Sequence, residues 1–392
     1  MIDFNFVSPT KIFFGKGKEE QIGEICKEFS FKNVLVVIGK SSVKKSGLLD
    51  KVIDLLDKND VKYVILEGIR PNPEIELCLK GIKLVKDNKL DSILAVGGGS
   101  VIDTAKNIAA GVYYDGDSFD FNLHKATPSK ALPIGVILTI SAAGSELSNS
   151  CVIQDDRINC KSGFNSDLVR PVFAIEDPVL TFSVDKYQTG AGVVDIMMHT
   201  LERYLQDSSD NELADSFAEG LLKTVVKAGY DVMKDPNDYE ARATLMLASS
   251  YSHNGITSIG KRFGMPVHQL EHALSGVYPK VSHGAGLAVL YPAWAKYYLE
   301  YDKKKFANLG RRVFNIEGND DLSVGGQFIN ELVKFFEYLG MPKTYKDLGI
   351  DNVDIDLLTD IFSNKKTREV YHMIKPMNYE VAKKIFEIAK EG

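Results

Sequence analysis

Cysteine is scarce in this sequence. Four residues in 392, Cys26, Cys78, Cys151 and Cys160, stand without any Cys-x-x-Cys spacing. That pattern fits buried reduced thiols in a reducing compartment better than a disulfide framework or a thiolate metal site. No run of 18 apolar residues occurs, so no membrane span is expected. The opening MIDFNFVSPTKIFFG lacks a basic stretch followed by a long apolar one, which argues against a secretory signal and for a cytoplasmic protein. Positive charge is not in excess either: 47 Lys and Arg against 53 Asp and Glu leave a net charge of -6. A polyanion would find no electrostatic footprint, so nucleic acid is not expected as a partner. What is present is a 44% hydrophobic composition, ample for folded cores and incompatible with intrinsic disorder. The length suits two domains.

The first half alternates β-branched runs with amphipathic segments. Residues 32–40, 61–66, 91–99 and 132–140 read as strands, and 46–59 and 73–88 as helices. Such alternation predicts βαβ units and a largely parallel sheet. FNFVSPTKIFFG reads as a hairpin ahead of these units. Beyond residue 183 the strand signal fades and helical periodicity takes over in 186–206, 210–234, 238–253, 284–301, 323–339 and 378–391. The expectation is an α/β domain over 1–183 and an all-α domain over 184–392, with a cleft between them.

GGGSVIDTAK (97–106) follows a predicted strand and opens a predicted helix. A glycine turn admits close approach of a phosphate, and the helix start adds N–H groups and a positive dipole end. Gly97, Gly98 and Ser100 are the candidates, with Asp103 nearby; Ser100 and Asp103 also fit a helix capping box. The turn follows the third strand candidate and lacks the Gly-x-Gly-x-x-Gly spacing, which disfavours an ordinary Rossmann domain. The first strand ends in Gly39, Lys40, Ser41 and Ser42, with no acid until Asp50. Basic and hydroxyl residues there accommodate a ribose 2′-phosphate, whereas an acid binds free ribose hydroxyls. A solvated turn is the plainer alternative.

Five of the seven histidines fall between residues 199 and 283. Asp195 and His199 are four apart, as are His268 and His272, and His283 follows in SHGAG. On helices, that spacing puts each pair on one face. Three imidazoles and a carboxylate suit Fe²⁺ or Zn²⁺. LTISAAGSELS (138–148) is a strand followed by a small-residue turn that could admit a cofactor, or in which Ser145 could simply cap a helix.

As a set, GGGSVIDTAK, LTISAAGSE, the lysine before FNSDLVRPVFAIEDP, GAGVVDIMMHTLE and HQLEHALSGVYPKVSHGAG resemble the iron-dependent, group III alcohol dehydrogenases. The closer likeness is to their butanol-dehydrogenase-like branch. The resemblance implies that family's fold, shared with dehydroquinate-synthase-like enzymes: a dinucleotide-binding α/β domain with a parallel sheet, followed by an all-α domain. It implies Asp195, His199, His268 and His283 as ligands of one divalent metal, Fe²⁺ with Zn²⁺ as the alternative, and His272 as the proton-transfer residue beside them. Gly97, Gly98 and Ser100 match the pyrophosphate turn, Thr139 and Ser145 the next cofactor loop, and Lys161 the contact to the nicotinamide ribose. Dimers are common in the family. Two departures stand out: Ala143 where relatives carry a threonine, and about one extra residue between His272 and His283. The expected activity is hydride transfer between a nicotinamide, NADP(H) in preference to NAD(H) because of the basic turn, and a small primary alcohol or aldehyde such as butanol or butanal. Competing readings are a polyol dehydrogenase or a dehydroquinate-synthase-like lyase, for which Lys261, Arg262 and Lys280 are too few cations, and a non-enzymatic homologue, which would need neither ligand set nor phosphate turn.

Overall fold

The computed structural model describes residues 1–205 and 211–392. They form two compact units, Val7–Val184 and a second made of Asp185–Gly392 with Met1–Phe6.

In the first unit, strands β1 (Lys11–Phe14), β2 (Asn33–Gly39), β3 (Lys62–Ile69), β4 (Ser92–Gly97), β5 (Ile134–Leu138) and β8 (Phe173–Glu176) make one six-stranded sheet in the order β1-β8-β5-β4-β2-β3. Every pairing is parallel. Residues 34–38 of β2 and all of β4 and β5 are buried. Strands covered on both faces read as unbroken apolar runs, which is why these were visible in the sequence. Helices α1 (Ile22–Glu28), α2 (Ser42–Lys45), α3 (Leu48–Asp57), α4 (Ile75–Asn88), α5 (Gly99–Gly111) and α6 (Phe119–Asn122) belong to the same unit. A separate antiparallel hairpin, β6 (Ser150–Asp155) with β7 (Cys160–Asn165), packs on α5.

The chain runs from β2 outward to β3, returns across β2 to β4, and continues to β5 and β8. The direction of travel therefore reverses between β2 and β4. In open α/β sheets ligands bind outside the carboxyl ends of the strands at such a reversal. Ile38 lies opposite Val96 and Gly97 opposite Leu138, so the segments after β2, β4 and β5 emerge side by side.

The expected opening hairpin does not form. Only Lys11–Phe14 becomes a strand, and it pairs parallel with β8. Met1–Phe6 associates with the helical unit, where the Ile2 N–H donates to the Gly260 carbonyl at 3.0 Å. Pro9, with no N–H to give a ladder, stands between the two.

The helical unit contains α7 (Lys186–Leu205), α8 (Glu212–Lys234), α9 (Tyr239–His253), α10 (Pro266–Val277), α11 (His283–Tyr298), α12 (Lys303–Val313), α13 (Asp321–Tyr338), α14 (Ile355–Phe362) and α15 (Tyr379–Glu391). Every residue of α7 from Thr189 to Leu205 is buried, which makes it the central helix, and α8, α9 and α11 pack against it. Part of the expected helix 186–206 and of 210–234 falls outside the described residues. Among the described residues, no helix is long and apolar enough to cross a membrane.

Candidate functional site

Asp195 and His199 sit one turn apart on α7, aimed to one side. α10 starts with Pro266 at a first-turn position, where its fixed φ suits the helix and its missing N–H costs nothing. It presents His268 and His272 one turn apart. His283 is the first residue of α11. Its neighbour Gly284 explains the approach: a Cβ there would lie 2.0 Å from the Ala191 carbonyl oxygen of α7. Only glycine lets α11 begin against that backbone, one turn from Asp195.

Three imidazole nitrogens converge on Asp195 Oδ1: His199 Nδ1 at 3.3 Å, His268 Nε2 at 3.6 Å and His283 Nε2 at 3.8 Å. Asp195, His199 and His268 are 3–6% exposed. Asp195 Oδ1, His199 Nδ1 and His268 Nε2 are buried without a hydrogen-bond partner among the described residues. Donors around a tetrahedral ion with bonds of about 2.1 Å stand about 3.4 Å apart, so the spacing and the donor chemistry fit a divalent metal. Asp195, His199 and His268 bring their ligand atoms within 4.8 Å of one another, and His283 adjoins them at Asp195 while grouping with Glu271 and His272. The rings of His268 and His283 are 5.3 Å apart, and His272 lies 5.9 Å from His283.

Two residues that sequence reasoning missed hold these rings from behind. The Glu202 carboxylate bonds His268 Nδ1 and accepts the Val267 N–H at 2.5 Å. Glu271 bonds His283 Nδ1 in the same manner. Both glutamates are 0% exposed. A ligating imidazole commonly gives its second N–H to a carboxylate, which fixes its tautomer and direction. The signal was a repeated His-x-Leu-Glu, His199-Thr-Leu-Glu202 and His268-Gln-Leu-Glu271. Three buried carboxylates, Asp195, Glu202 and Glu271, need cationic compensation, a second reason that a metal fits. Without it, burial disfavours charge on His268, but Glu202 and Asp195 outweigh burial and hold its imidazolium up to about 9. His199 is pushed well below the ordinary histidine value, first by burial and then by the neighbouring His253 and His268. The His253 ring lies tilted against that of His199 with centroids 4.0 Å apart.

In the α/β unit the glycine turn opens α5 as expected, with Gly98 in extended conformation as the cap residue. The capping box does not form. Helix begins at Gly99, so Ser100 lies within its first turn. Asp103 instead accepts from Ser145 Oγ at 2.6 Å and from the Val152 N–H at 3.0 Å. Ser145 caps no helix; it is buried, and its hydroxyl also accepts from Lys106 Nζ at 2.9 Å. The Thr139 N–H donates to the Gly97 carbonyl at 3.1 Å, which ties the two cofactor segments together. Lys40, Ser41 and Ser42 are exposed and Gly39 is half-buried, at the end of β2 beside the turn that follows β4. Lys161, on β7, donates to Asn72 Oδ1 at 3.0 Å. Of the three cations near the histidine motifs, Lys261 pairs with Asp215 and Arg262 lies 4.3 Å over the Tyr371 ring.

Residues 9–178 match the family model described as iron-containing alcohol dehydrogenase, and 189–389 match that of the C-terminal part of the Fe-containing alcohol dehydrogenase family. The chain is 40% identical to NADH-dependent butanol dehydrogenase A of Clostridium acetobutylicum, over 99% of each chain. It is 35% identical to the NADPH-dependent aldehyde reductase of Escherichia coli over the full length of both. The crystal structure of NADH-dependent butanol dehydrogenase A from Thermotoga maritima superposes with a TM-score of 0.95 at 35% identity, covering 100% of this chain and 99% of that one. With the metal-type cluster on α7, α10 and α11 and the phosphate-type turn at the sheet reversal, these matches show that the chain belongs to the iron-containing alcohol dehydrogenase family, in its butanol-dehydrogenase-like branch.

Proposed function

We propose that the protein is a metal-dependent alcohol dehydrogenase and aldehyde reductase that moves hydride between a nicotinamide cofactor and a small primary alcohol or aldehyde such as butanol or butanal. The observation that carries this reading is that His199, His268 and His283 each bring a ring nitrogen within 3.3–3.8 Å of Asp195 Oδ1. A divalent ion held there supplies Lewis-acid polarisation of the substrate oxygen. Fe²⁺ is the ion we assign from the family likeness, with Zn²⁺ accepted by the same donors. The protein's own residues have separable tasks. Glu202 and Glu271 orient two of the ligand rings. His272, 9% exposed and beside His283, moves the alcohol proton toward solvent. The Gly97–Ser100 turn and the start of α5 hold the pyrophosphate, backed by Thr139 and Asp103–Ser145, and Lys161 orients the nicotinamide ribose. We assign cofactor binding to 1–183 and the metal chemistry to 184–392.

For the cofactor we assign NADP(H) ahead of NAD(H). Support comes from the exposed Gly39–Ser42 turn, which offers a lysine and two hydroxyls and no acid beside the pyrophosphate turn. The relatives' names carry both cofactors, NADH for the two butanol dehydrogenases and NADPH for the aldehyde reductase, which gives NADH a standing as second reading. A cytoplasmic homodimer is the form the family likeness and the composition favour. The test is butanal-dependent oxidation of NADPH and of NADH by protein reconstituted anaerobically with Fe²⁺ and, separately, Zn²⁺. Turnover with one metal per chain is expected. Metal-loaded protein that oxidises neither cofactor with any small aldehyde would overturn the reading.

A further inference from the structure

α5 carries a lysine two turns below the glycine turn, and Lys106 is 0% exposed. Its ammonium is surrounded by oxygens: Ser145 Oγ at 2.9 Å, the Ser148 carbonyl at 2.9 Å, Ser148 Oγ at 3.2 Å and the Ser150 carbonyl at 2.8 Å. The acceptors on Ser145 and Ser148 lie between β5 and β6, and the Ser150 carbonyl belongs to the first residue of β6. Asp103, one turn earlier on α5, grips the same segment through Ser145 and Val152. Ser145 Oγ thus donates to the carboxylate and accepts from the ammonium, joining both charges in one network. Burying an ammonium is costly: desolvation pulls the Lys106 pKa down to about 8 against the opposing pull of Asp103. A methionine would fill the same volume without that cost, so packing alone does not call for a lysine here.

The gripped segment is the one that faces the pyrophosphate turn. A Cβ on Gly98 would lie 2.3 Å from Ile140 Cγ2, and one on Gly99 would lie 3.0 Å from Ala143 Cβ. With the two segments already touching, a small slide of residues 140–148 changes the gap into which a phosphate must fit. We propose that Lys106 is a positioning residue for cofactor binding: with Asp103 and Ser145 it clamps the 141–150 segment to α5 and so sets the slot beside the Gly97–Ser100 turn. The inference rests on reading that turn as the pyrophosphate site.

The test uses the metal-loaded enzyme. Dissociation constants for NADPH and NADH are measured by fluorescence titration without substrate, and full kinetics follow with butanal, for wild type, Lys106→Met and Ser148→Ala. Loss of charge-assisted hydrogen bonds predicts that Lys106→Met raises the cofactor Kd and KM at least about tenfold, and that Ser148→Ala raises them about threefold. The KM for butanal and kcat at saturating cofactor should stay within about twofold, because the clamp touches neither the metal ligands nor His272. A folded Lys106→Met enzyme with unchanged cofactor affinity would overturn the proposal whatever its melting temperature, as would parallel losses in kcat and in the aldehyde KM. Should Lys106→Met fail to fold, Ser148→Ala decides on its own: unchanged cofactor affinity there refutes the clamp. Wild-type enzyme that binds neither cofactor would refute the underlying site reading instead, and the two failures are therefore distinct.

Discussion

Replacing Glu202 by glutamine probes the metal centre without touching a ligand. The carboxylate serves two donors at once, the Val267 N–H through one oxygen and the His268 ring through the other. Glutamine keeps the shape but has one accepting end. If its oxygen faces Val267, its amide group meets His268 Nδ1, which must then become the acceptor. The ring proton moves to Nε2, the nitrogen that lies 3.6 Å from Asp195 and is needed for the metal. If the amide is reversed, it opposes the Val267 N–H in a site that is 0% exposed. The first arrangement takes His268 Nε2 away from the metal, and the second leaves a buried donor facing a donor. Outer carboxylates of this type are worth about 10- to 100-fold in metal affinity, or about 1.4 to 2.7 kcal/mol. Chelator-competition titration of Zn²⁺ and anaerobic Fe²⁺, with circular dichroism to verify the fold, measures this directly. Affinity within twofold of wild type in a folded Glu202→Gln protein would refute the argument that Glu202 sets the His268 tautomer.

Other outcomes follow from the same geometry. Lys40→Asp should lower the NADPH/NADH ratio of kcat/KM by at least about tenfold, since it replaces a cation with an acid at the end of β2; an unmoved ratio would remove that turn from 2′-phosphate recognition. His272→Asn should retain metal but lose about 10²- to 10⁴-fold in kcat with an altered pH profile, read by steady-state kinetics alongside metal analysis. His372, 2% exposed, is held neutral with burial lowering its pKa to about 4. Because the unfolded chain takes up that proton near pH 6.5, stability is complete above that pH and falls by up to about 3 kcal/mol as the pH drops to 4; urea midpoints at pH 7 and 4.5 should show a smaller loss for His372→Asn than for wild type. Gly284→Ala should drive α11 from the Ala191 carbonyl, cost about 1 to 3 kcal/mol and weaken metal binding, whereas an unchanged melting temperature would contradict the contact.

Legibility from sequence followed burial. β2, β4 and β5 showed themselves because both faces are covered and every position had to be apolar. β7, CKSGFN, is half-buried along most of its length and spends its residues on polar contacts, so it carries no strand pattern. β8 is four residues long. The opening segment misled because Met1 and the Ile2 N–H meet Gly260 and the Phe6 ring meets Gly255 of the helical unit, partners about 250 residues away. α12, KKKFANLGRRV, hid its apolar stripe among five cations. The histidine cluster was legible because His-x-x-x-His is rare, with the family resemblance choosing the four ligands among its members, while Glu202 and Glu271 were not, since a glutamate on a helix ordinarily faces water. Lys106 passed unnoticed for the same reason.

The carboxylate props also impose an order of dependence. Glu202 of α7 aligns His268 of α10, and Glu271 of α10 aligns His283 of α11. Each ring takes its bearing from an earlier helix and not from the chain that leads into it. The stretch Tyr278–Ser282 is therefore relieved of the duty to aim the His283 ring. That marks this stretch, ahead of any segment within α7 or α10, as the place where an engineer could insert residues and keep the centre assembled.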